Sequence, residues 1–396
     1  MSAPAIPVHI RRSGFDPVAE LGRLRTEQPV SRVIIPPGMP AWLVTRYHDV
    51  RQVLGDATRF SNRPAGYDVS GGGDIEIERN GFLIAFDPPE HTRLRRLLTA
   101  GFTVARMRTL APRVADVVRH QLDVMAALGA SGEPIDLVEA FAMPVPSLVI
   151  CELLGVPYAD RDEFQRTSRV RMDVSQAPDV QLAAAQASRA YLTEFVAEQR
   201  RAPGQGMIGL LLREHGAELV DTELVGVADL LLLAGHETTA NMLGLGTCML
   251  LRQPDQIAAL RDPTTVDGAV EELLRYLSVV NTVMPRTTLT EVTIGDTVIP
   301  AGEVIIVSLP AANRDPAAGA SDPDRPDLHR AVTSHVSFGH GIHHCIGAPL
   351  ARLEMRIAYP ALFDRFPGLR LAVGSEQIRF RPSSMVFGLE TLPVTW

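Results

Sequence analysis

The sequence predicts a mainly helical protein with a smaller β portion, and three observations support this fold class. Apolar residues recur at helical spacing from about residue 90 to about residue 280, and Gly and Pro separate the segments. Runs rich in β-branched residues occur instead at about 30–60, 285–310 and 370–396. A chain of 396 residues that is 46% hydrophobic can bury a large core, so we expect a single domain over residues 1–396.

The first elements precede the helical body. The apolar run at residues 41–45 predicts a strand, and the pattern from Tyr47 to Leu54 predicts a short helix. Residues 61–82 show neither period and include three consecutive glycines. Because long loops without regular structure are usually functional in compact domains, we expect this loop to cover a binding site.

The longest apolar stretch of the helical body spans residues 224–251. It contains Asp229, His236 and Glu237, which are costly inside a bilayer. We therefore interpret it as a buried core helix and not as a membrane span.

Within this stretch, residues 234–239 read Ala-Gly-His-Glu-Thr-Thr. Consecutive polar residues inside a buried helix are costly unless they are satisfied or used. The Thr238 hydroxyl can bond back to the carbonyl of Ala234, and Gly235 weakens the same turn, so we expect a local opening of the helix. The residues alone leave two interpretations open, a satisfied contact between helices and a functional site.

The β signals follow the helical body. Residues 292–294 and 297–299 flank the pair Gly295-Asp296, which predicts a hairpin with a two-residue turn. Residues 304–309 predict a further strand, and the last 25 residues predict short strands.

The most informative segment is residues 338–347, Phe-Gly-His-Gly-Ile-His-His-Cys-Ile-Gly. It places Cys345 after two glycines and directly before an amphipathic helix. The unpaired amides and partial positive charge of a helix N-terminus favour a thiolate. Gly339 and Gly341 let the backbone turn sharply and approach a flat group. The segment is suited to presenting a thiolate to a haem iron.

Two other interpretations of this cysteine exist. His340, His343, His344 and Cys345 could form a zinc cluster, although they lie within six residues and lack a second, separated pair. Cys345 could also be an inert buried cysteine, which is the interpretation we give to Cys151 and Cys248.

Composition limits the other function classes. A net charge of −8 argues against nucleic acid as a general partner. Three cysteines far apart along the chain give no disulfide framework, and the N-terminus lacks an apolar signal core, so we expect a cytoplasmic protein. Residues 91–115 contain arginines but no acidic residue, which predicts a basic patch able to attract an acidic partner.

Residues 338–347 resemble the haem-ligand signature of the cytochrome P450 family, Phe-Gly-x-Gly-x-His-x-Cys-x-Gly, at every fixed position. The resemblance implies the cytochrome P450 fold, a single large domain that encloses haem b, with Cys345 as the axial metal ligand and His343 at a haem propionate. Residues 234–239 resemble the oxygen-binding groove of the family. There Thr238 would hydrogen-bond dioxygen and Glu237 would take part in relaying protons.

Further positions match the family in order. The resemblance implies that His91, Arg95 and Arg286 hold propionates together with His343. It also implies a buried ionic triad of Glu272, Arg275 and Arg325, although Pro326 stands where the family usually has phenylalanine.

The resemblance implies a monomeric, cytoplasmic monooxygenase, not bound to a membrane, that inserts one oxygen atom of dioxygen into a hydrophobic small molecule. The expected substrate is a secondary metabolite such as a macrolide or another polyketide. With no flavin or nicotinamide fingerprint in the chain, electrons would come from a ferredoxin and its reductase, with the ferredoxin near the arginines Arg93, Arg96, Arg106, Arg352 and Arg356. The alternatives are a peroxide-driven peroxygenase and a haem-binding sensor without turnover.

Overall fold

A computed structural model describes residues 6–35, 38–63, 80–157, 161–331 and 334–396. Most of the predicted loop at 61–82 therefore lies outside the described residues. Among the helices in these ranges, none combines the length and the apolarity needed to cross a bilayer.

Helices dominate the described structure, as the sequence predicts. Their bounds are α1 Ala19–Glu27, α2 Tyr47–Gly55, α3 Glu90–Thr99, α4 Val104–Leu128, α5 Pro144–Leu154, α6 Arg161–Met172, α7 Pro178–Arg201, α8 Met207–His215, α9 Asp221–Gly235, α10 Glu237–Arg252, α11 Ala258–Arg261, α12 Val266–Leu277, α13 Leu309–Asn313 and α14 Ala348–Arg365. Shorter 3-10 turns include Leu83–Ala85 and Gly341–His343, and a π-helical turn spans Val138–Ala142.

The strands are short. Their bounds are β1 Arg12–Ser13, β2 Asp16–Pro17, β3 Val30–Ile35, β4 Met39–Val44, β5 Phe60–Ser61, β6 Ile135–Asp136, β7 Arg286–Thr288, β8 Val292–Ile294, β9 Thr297–Ile299, β10 Val304–Val307, β11 Arg370–Leu371 and β12 Pro393–Thr395. The largest sheet has the order β3-β4-β10-β7-β5, in which β10 runs parallel to β4 and the other neighbours are antiparallel. A smaller sheet, β11-β12-β6, joins the C-terminal residues to the helical body.

Local predictions in this region are confirmed. β8 and β9 pair as the antiparallel hairpin expected from the Gly295-Asp296 turn, with Gly295 at φ +55°. The strand predicted at 304–309 ends earlier, at Val307, because Ser308 caps α13 by accepting a hydrogen bond from the Ala311 amide.

The predicted core helix at 224–251 is buried but divided in two. α9 ends at Gly235 and α10 begins at Glu237, and His236 between them forms a distorted turn that stays in the right-handed helical region, with φ −104° and ψ −43°. The expected back-bond is present, since the Thr238 hydroxyl donates to the Ala234 carbonyl over 2.9 Å. A side chain at Gly235 would place its Cβ 2.9 Å from Ile150 of α5, so glycine permits close helix packing at the break.

The helical core surrounds this broken pair of helices. α9 packs against α7, and α10 packs against α12 and α14. α14 in turn packs along α4. The thiol-bearing loop that precedes α14 and the break between α9 and α10 are thus carried by elements of one packed body.

The ionic triad differs from the expectation in its third member. Glu272 and Arg275 are buried and joined by two hydrogen bonds of 2.8 and 2.9 Å. The third guanidinium is that of Arg330, whose Nε lies 3.4 Å from Glu272 Oε1. Arg325 is exposed, because the chain turns after Pro326 and brings Arg330 inward.

Candidate active site

The loop before α14 fixes Cys345 through its backbone. The Cys345 amide donates to the Phe338 carbonyl over 2.9 Å. Gly339 and Gly341 have φ values of +72° and +73°, where side chains other than glycine are strained. A Cβ on Gly341 would also lie 2.3 Å from the Leu54 carbonyl oxygen, so this loop can approach α2 only with glycine at 341.

The Phe338 ring packs against the side chain of Arg352. The Arg352 guanidinium lies 4.6 Å from the centre of the Phe338 ring and donates to both oxygens of Glu271, at 2.6 and 2.8 Å. His335 contacts the same carboxylate at 3.0 Å. Desolvation acts to raise the pKa of Glu271, but Arg352 and His335 outweigh it and lower that pKa to about 2.

Cys345 differs from the other two cysteines because it is exposed, whereas Cys151 and Cys248 are buried. Although solvent reaches the residue, protein atoms crowd its thiol, and this desolvation raises the thiol pKa. The amides of Gly347 and Ala348 and the Arg95 and Arg352 guanidiniums act in the opposite direction. A cation bound at the sulfur would therefore be needed to hold the thiolate fully.

A cluster of cationic and imidazole groups lies on the same side as this thiol. His91 and His343 have ring centres 4.2 Å apart. Desolvation and the charges of Arg286, His91 and Arg95 lower the pKa of His343 to about 3. Desolvation lowers the pKa of Arg286 to about 10. Desolvation also lowers the pKa of Arg95, and its electrostatic interaction with the Cys345 thiol acts in the opposite direction. The structure thus brings together all five residues that the sequence assigned to cofactor binding.

The cluster is suited to a bound anion. His91 Nε2 and both ring nitrogens of His343 are buried without a hydrogen-bond partner among the described residues. Asp87 acts electrostatically on Arg286 and His91, but its oxygens accept hydrogen bonds from Ser61 and the Asn62 amide. Buried donors without partners are unfavourable, so a ligand with carboxylate groups would satisfy this site.

The second half of the site is the break between α9 and α10. Ala234 is exposed and Thr238 is half-buried, although the residues around them on both helices are mostly buried. Glu237 is completely buried, and its Oε1 lies 2.6 Å from Nη1 of Arg381. That N–H is not aligned with the carboxylate, so neither Glu237 oxygen accepts a hydrogen bond from the described residues.

Sequence reasoning missed Arg381, Arg330 and the contact of Arg352 with Phe338. Arg381 lies 144 residues after Glu237, and no local pattern marks it as a partner. The zinc alternative gains no support, since the described residues contain no group of three or more His, Cys, Asp or Glu side chains arranged to hold a metal ion.

Comparisons with known proteins decide the family. The family model described as Cytochrome P450 matches residues 182–391. The chain is 45% identical to Cytochrome P450 FAS1 of Rhodococcoides fascians, an alignment that covers 99% of this chain and 98% of that protein. The chain belongs to the cytochrome P450 family. It is therefore a haem-dependent monooxygenase, and the predicted fold, enzyme class and cofactor are confirmed.

Solved P450 structures agree with this assignment. P450 StaH from biosynthesis of the glycopeptide antibiotic A47934 is 47% identical, with a TM-score of 0.88 over 99% of this chain and 100% of that chain. CYP105P1 in complex with filipin I is 40% identical, with a TM-score of 0.91 over 100% of this chain and 99% of that chain.

The residues present fit haem, the cofactor of cytochromes P450. Its two propionates could accept hydrogen bonds from the unpartnered rings of His91 and His343 and from the guanidiniums of Arg95 and Arg286, and its iron would supply the cation that the Cys345 thiol needs.

Proposed function

We propose that Cys345 is the axial thiolate ligand of haem and that His91, Arg95, Arg286 and His343 hold the two propionates. The observation that carries this proposal is the coexistence, on one side of the molecule, of a backbone-fixed thiol and unpartnered buried donors. Haem supplies an iron centre at which dioxygen is activated, and a thiolate ligand donates electron density that favours O–O cleavage.

Thr238 and Glu237 are the proposed proton-handling residues. The Thr238 hydroxyl donates its proton to the Ala234 carbonyl, which leaves the lone pairs of its oxygen free to accept a hydrogen bond. The two Glu237 oxygens have no aligned donor among the described residues, so their lone pairs are available to water that enters when the side chain moves. An acid and a hydroxyl on consecutive residues at a helix break can pass protons from water toward the site.

The reaction is the insertion of one oxygen atom of dioxygen into a C–H bond or across a C=C bond. The other oxygen atom leaves as water, after two electrons and two protons have been supplied. A peroxygenase would take both electrons and the oxygen atom from peroxide, and a sensor would consume none. The retained pair Glu237-Thr238 favours the monooxygenase, because only that reaction needs protons delivered to dioxygen.

The electrons come from a ferredoxin, reduced by its own reductase, and the enzyme works as a cytoplasmic monomer without a nucleic-acid partner. The substrate is a hydrophobic secondary metabolite such as a macrolide or another polyketide. The likeness to CYP105P1, which has been crystallised with filipin I, supports this substrate class.

Turnover tests the function directly. Purified enzyme would be incubated under ¹⁸O₂ with a panel of macrolides, a surrogate ferredoxin, its reductase and NADPH, and a parallel sample would receive only hydrogen peroxide. We expect products that carry one ¹⁸O atom in the first sample. Products formed only with peroxide would favour the peroxygenase, and the absence of any product from a broad hydrophobic panel would favour the sensor.

Haem retention tests the assignment of the propionate-binding residues. Arg95 and Arg96 are neighbours on α3, but only Arg95 interacts electrostatically with the site, while Arg96 is exposed. We expect Arg95→Gln to speed haem transfer to apomyoglobin roughly tenfold, as expected for loss of one charge-assisted hydrogen bond. Arg96→Gln should not change it. Equal transfer rates in both variants would contradict the assignment of Arg95.

A further inference from the structure

Residues Ala240, Asn241 and Gly244 of α10 line a cavity of about 220 Å³ that neither Ala234 nor Thr238 lines. That volume has room for several water molecules. Its lining is charged as well as apolar and includes Arg169, Asn241, Arg381 and Glu390. Arg381 also touches Glu237, so its side chain stands between the cavity and the buried carboxylate.

Two contacts hold Arg381 in this position. Its Nη2 donates to Asn241 Oδ1 over 2.9 Å, and Asn241 in turn donates to the Glu237 carbonyl over 2.7 Å. The Arg381 side chain is 18% exposed, whereas the Glu237 side chain is 0% exposed. Solvent therefore reaches part of the Arg381 guanidinium but does not reach the Glu237 carboxylate.

The backbone of the C-terminal segment makes this contact possible. The Arg381 amide donates to the Gly388 carbonyl over 2.9 Å, and Phe380 pairs with Leu389, so the two arms form a hairpin. A Cβ on Gly388 would lie 1.8 Å from Asn241 Oδ1. Only glycine lets this hairpin press against α10 closely enough for Arg381 to reach Glu237.

We propose that Arg381 is a positioning residue for Glu237 and that the cavity beside α10 supplies the water from which Glu237 takes protons. This inference rests on the proposed role of Glu237. A buried carboxylate needs a counter-charge to stay ionised and oriented, and Arg381 is the cation that contacts it among the described residues. Neither Glu237 oxygen has a hydrogen-bond partner among the described residues, and Glu237 does not line the cavity. Movement of the Arg381 side chain would let cavity water reach the carboxylate, and Glu390 at the cavity offers Arg381 a second acidic partner when Glu237 turns toward Thr238.

The test uses the haem-loaded enzyme in its ferredoxin-driven reaction, with product formed per O₂ consumed as the first readout. Arg381→Gln should lower that ratio at least threefold, raise hydrogen peroxide release and increase the solvent deuterium isotope effect, while the KM for substrate changes little. Arg381→Lys should restore part of the ratio. Arg379→Gln is the matched control, because Arg379 lies two residues away on the same hairpin and is exposed.

A double-variant comparison separates positioning from general damage. If Arg381 acts through Glu237, adding Arg381→Gln to Glu237→Gln should not lower the ratio further. Thermal unfolding midpoints of the same four proteins give a readout independent of turnover, and the two single changes should be non-additive there as well.

The role of Glu237 and the role of Arg381 would be contradicted by different outcomes. If Glu237→Gln keeps the wild-type ratio, the proposed role of Glu237 fails. If Glu237→Gln lowers the ratio but Arg381→Gln leaves the ratio and the isotope effect unchanged, Glu237 retains its role and the inference about Arg381 is wrong. Multiplicative losses in the double variant would also contradict it.

Discussion

The buried residue His9 makes the folding stability of this protein depend on pH. His9, in the 3-10 turn Val8–Ile10, is only 6% exposed, and desolvation lowers its pKa to about 4. Between pH 6.5 and pH 4 the unfolded chain binds a proton at this position and the folded chain does not. Stability therefore rises with pH across this window and is lost as pH falls through it.

The first prediction concerns this histidine. His9→Leu should flatten the dependence of the free energy of unfolding on pH between 4 and 6.5. In the unchanged protein, His9 lowers the free energy of unfolding by about 3 kcal/mol as the pH falls from 6.5 to 4, since one pKa unit corresponds to about 1.36 kcal/mol. Denaturant unfolding of both proteins at several pH values measures it. An unchanged slope in the variant would show that His9 is not buried neutral.

Among single residues, the sequence predicts which candidate site residues lie near one another where they are close along the chain. The thiol, the glycines and the imidazole of residues 338–347 lie within one loop, so their spacing alone defines the geometry. Arg381 and Arg330 are different, because each meets its acid across a long sequence separation. Only the folded chain shows such contacts, and the sequence could suggest Arg325 but not Arg330 as the third member of the triad.

Helices pack closely around the site because glycine occurs at particular positions in them. Gly244 and Gly246 both lie inside α10, but their surroundings differ. A Cβ on Gly246 would lie 2.0 Å from the hydroxyl oxygen of Tyr359, a fully buried residue of α14. A Cβ on Gly244 would meet Val138 at 3.7 Å, an ordinary contact distance.

These two glycines predict opposite effects. Gly246→Ala should lower the free energy of unfolding by about 2 kcal/mol or more, because the Tyr359 ring must move and its hydrogen bond to the Met242 carbonyl is disturbed. Gly244→Ala should leave stability equal or raise it by about 0.5–1 kcal/mol, as expected for removing glycine from a helix. Urea unfolding of both variants is the measurement. Equal effects would show that α10 and α14 are not packed as described.

The elements themselves were predictable where local rules act alone. The hairpin of β8 and β9 follows from its turn residues, and α2 ends one residue later than expected, at Gly55. The division of the long core helix was expected only as a local opening. The break occurs where Ile150 of α5 packs against Gly235, and this contact between distant parts of the chain cannot be predicted from local sequence.

Over the whole molecule, the distribution of charge bears on where the proposed ferredoxin would dock. Among the arginines expected to attract a ferredoxin, three have acidic partners within the described structure: Arg93 with Glu223, Arg352 with Glu271, and Arg356 with Asp267. No ion pair is present for Arg96 on α3 or Arg106 on α4 among the described residues. α3 carries Arg95 toward Cys345, and α4 packs along α14, so both free arginines lie on elements next to the thiol loop.

We therefore expect Arg96 and Arg106 to be the arginines that contact the ferredoxin. The double variant Arg96→Glu/Arg106→Glu should slow reduction by ferredoxin roughly tenfold at low ionic strength and flatten its salt dependence. Reversing Arg119, which pairs with Asp116 elsewhere on α4, is the control and should have little effect. Stopped-flow reduction measures both. Unchanged rates in the double variant would place the donor elsewhere.

The central claim is that this P450 binds haem through Cys345. The most direct measurement is the absorption spectrum of the purified protein after dithionite reduction and exposure to carbon monoxide. We predict a Soret band red-shifted to the position from which the family takes its name, and its loss in Cys345→Ala. A spectrum like that of a histidine-ligated globin, or an unshifted band that is the same in Cys345→Ala, would contradict the assignment of the thiolate.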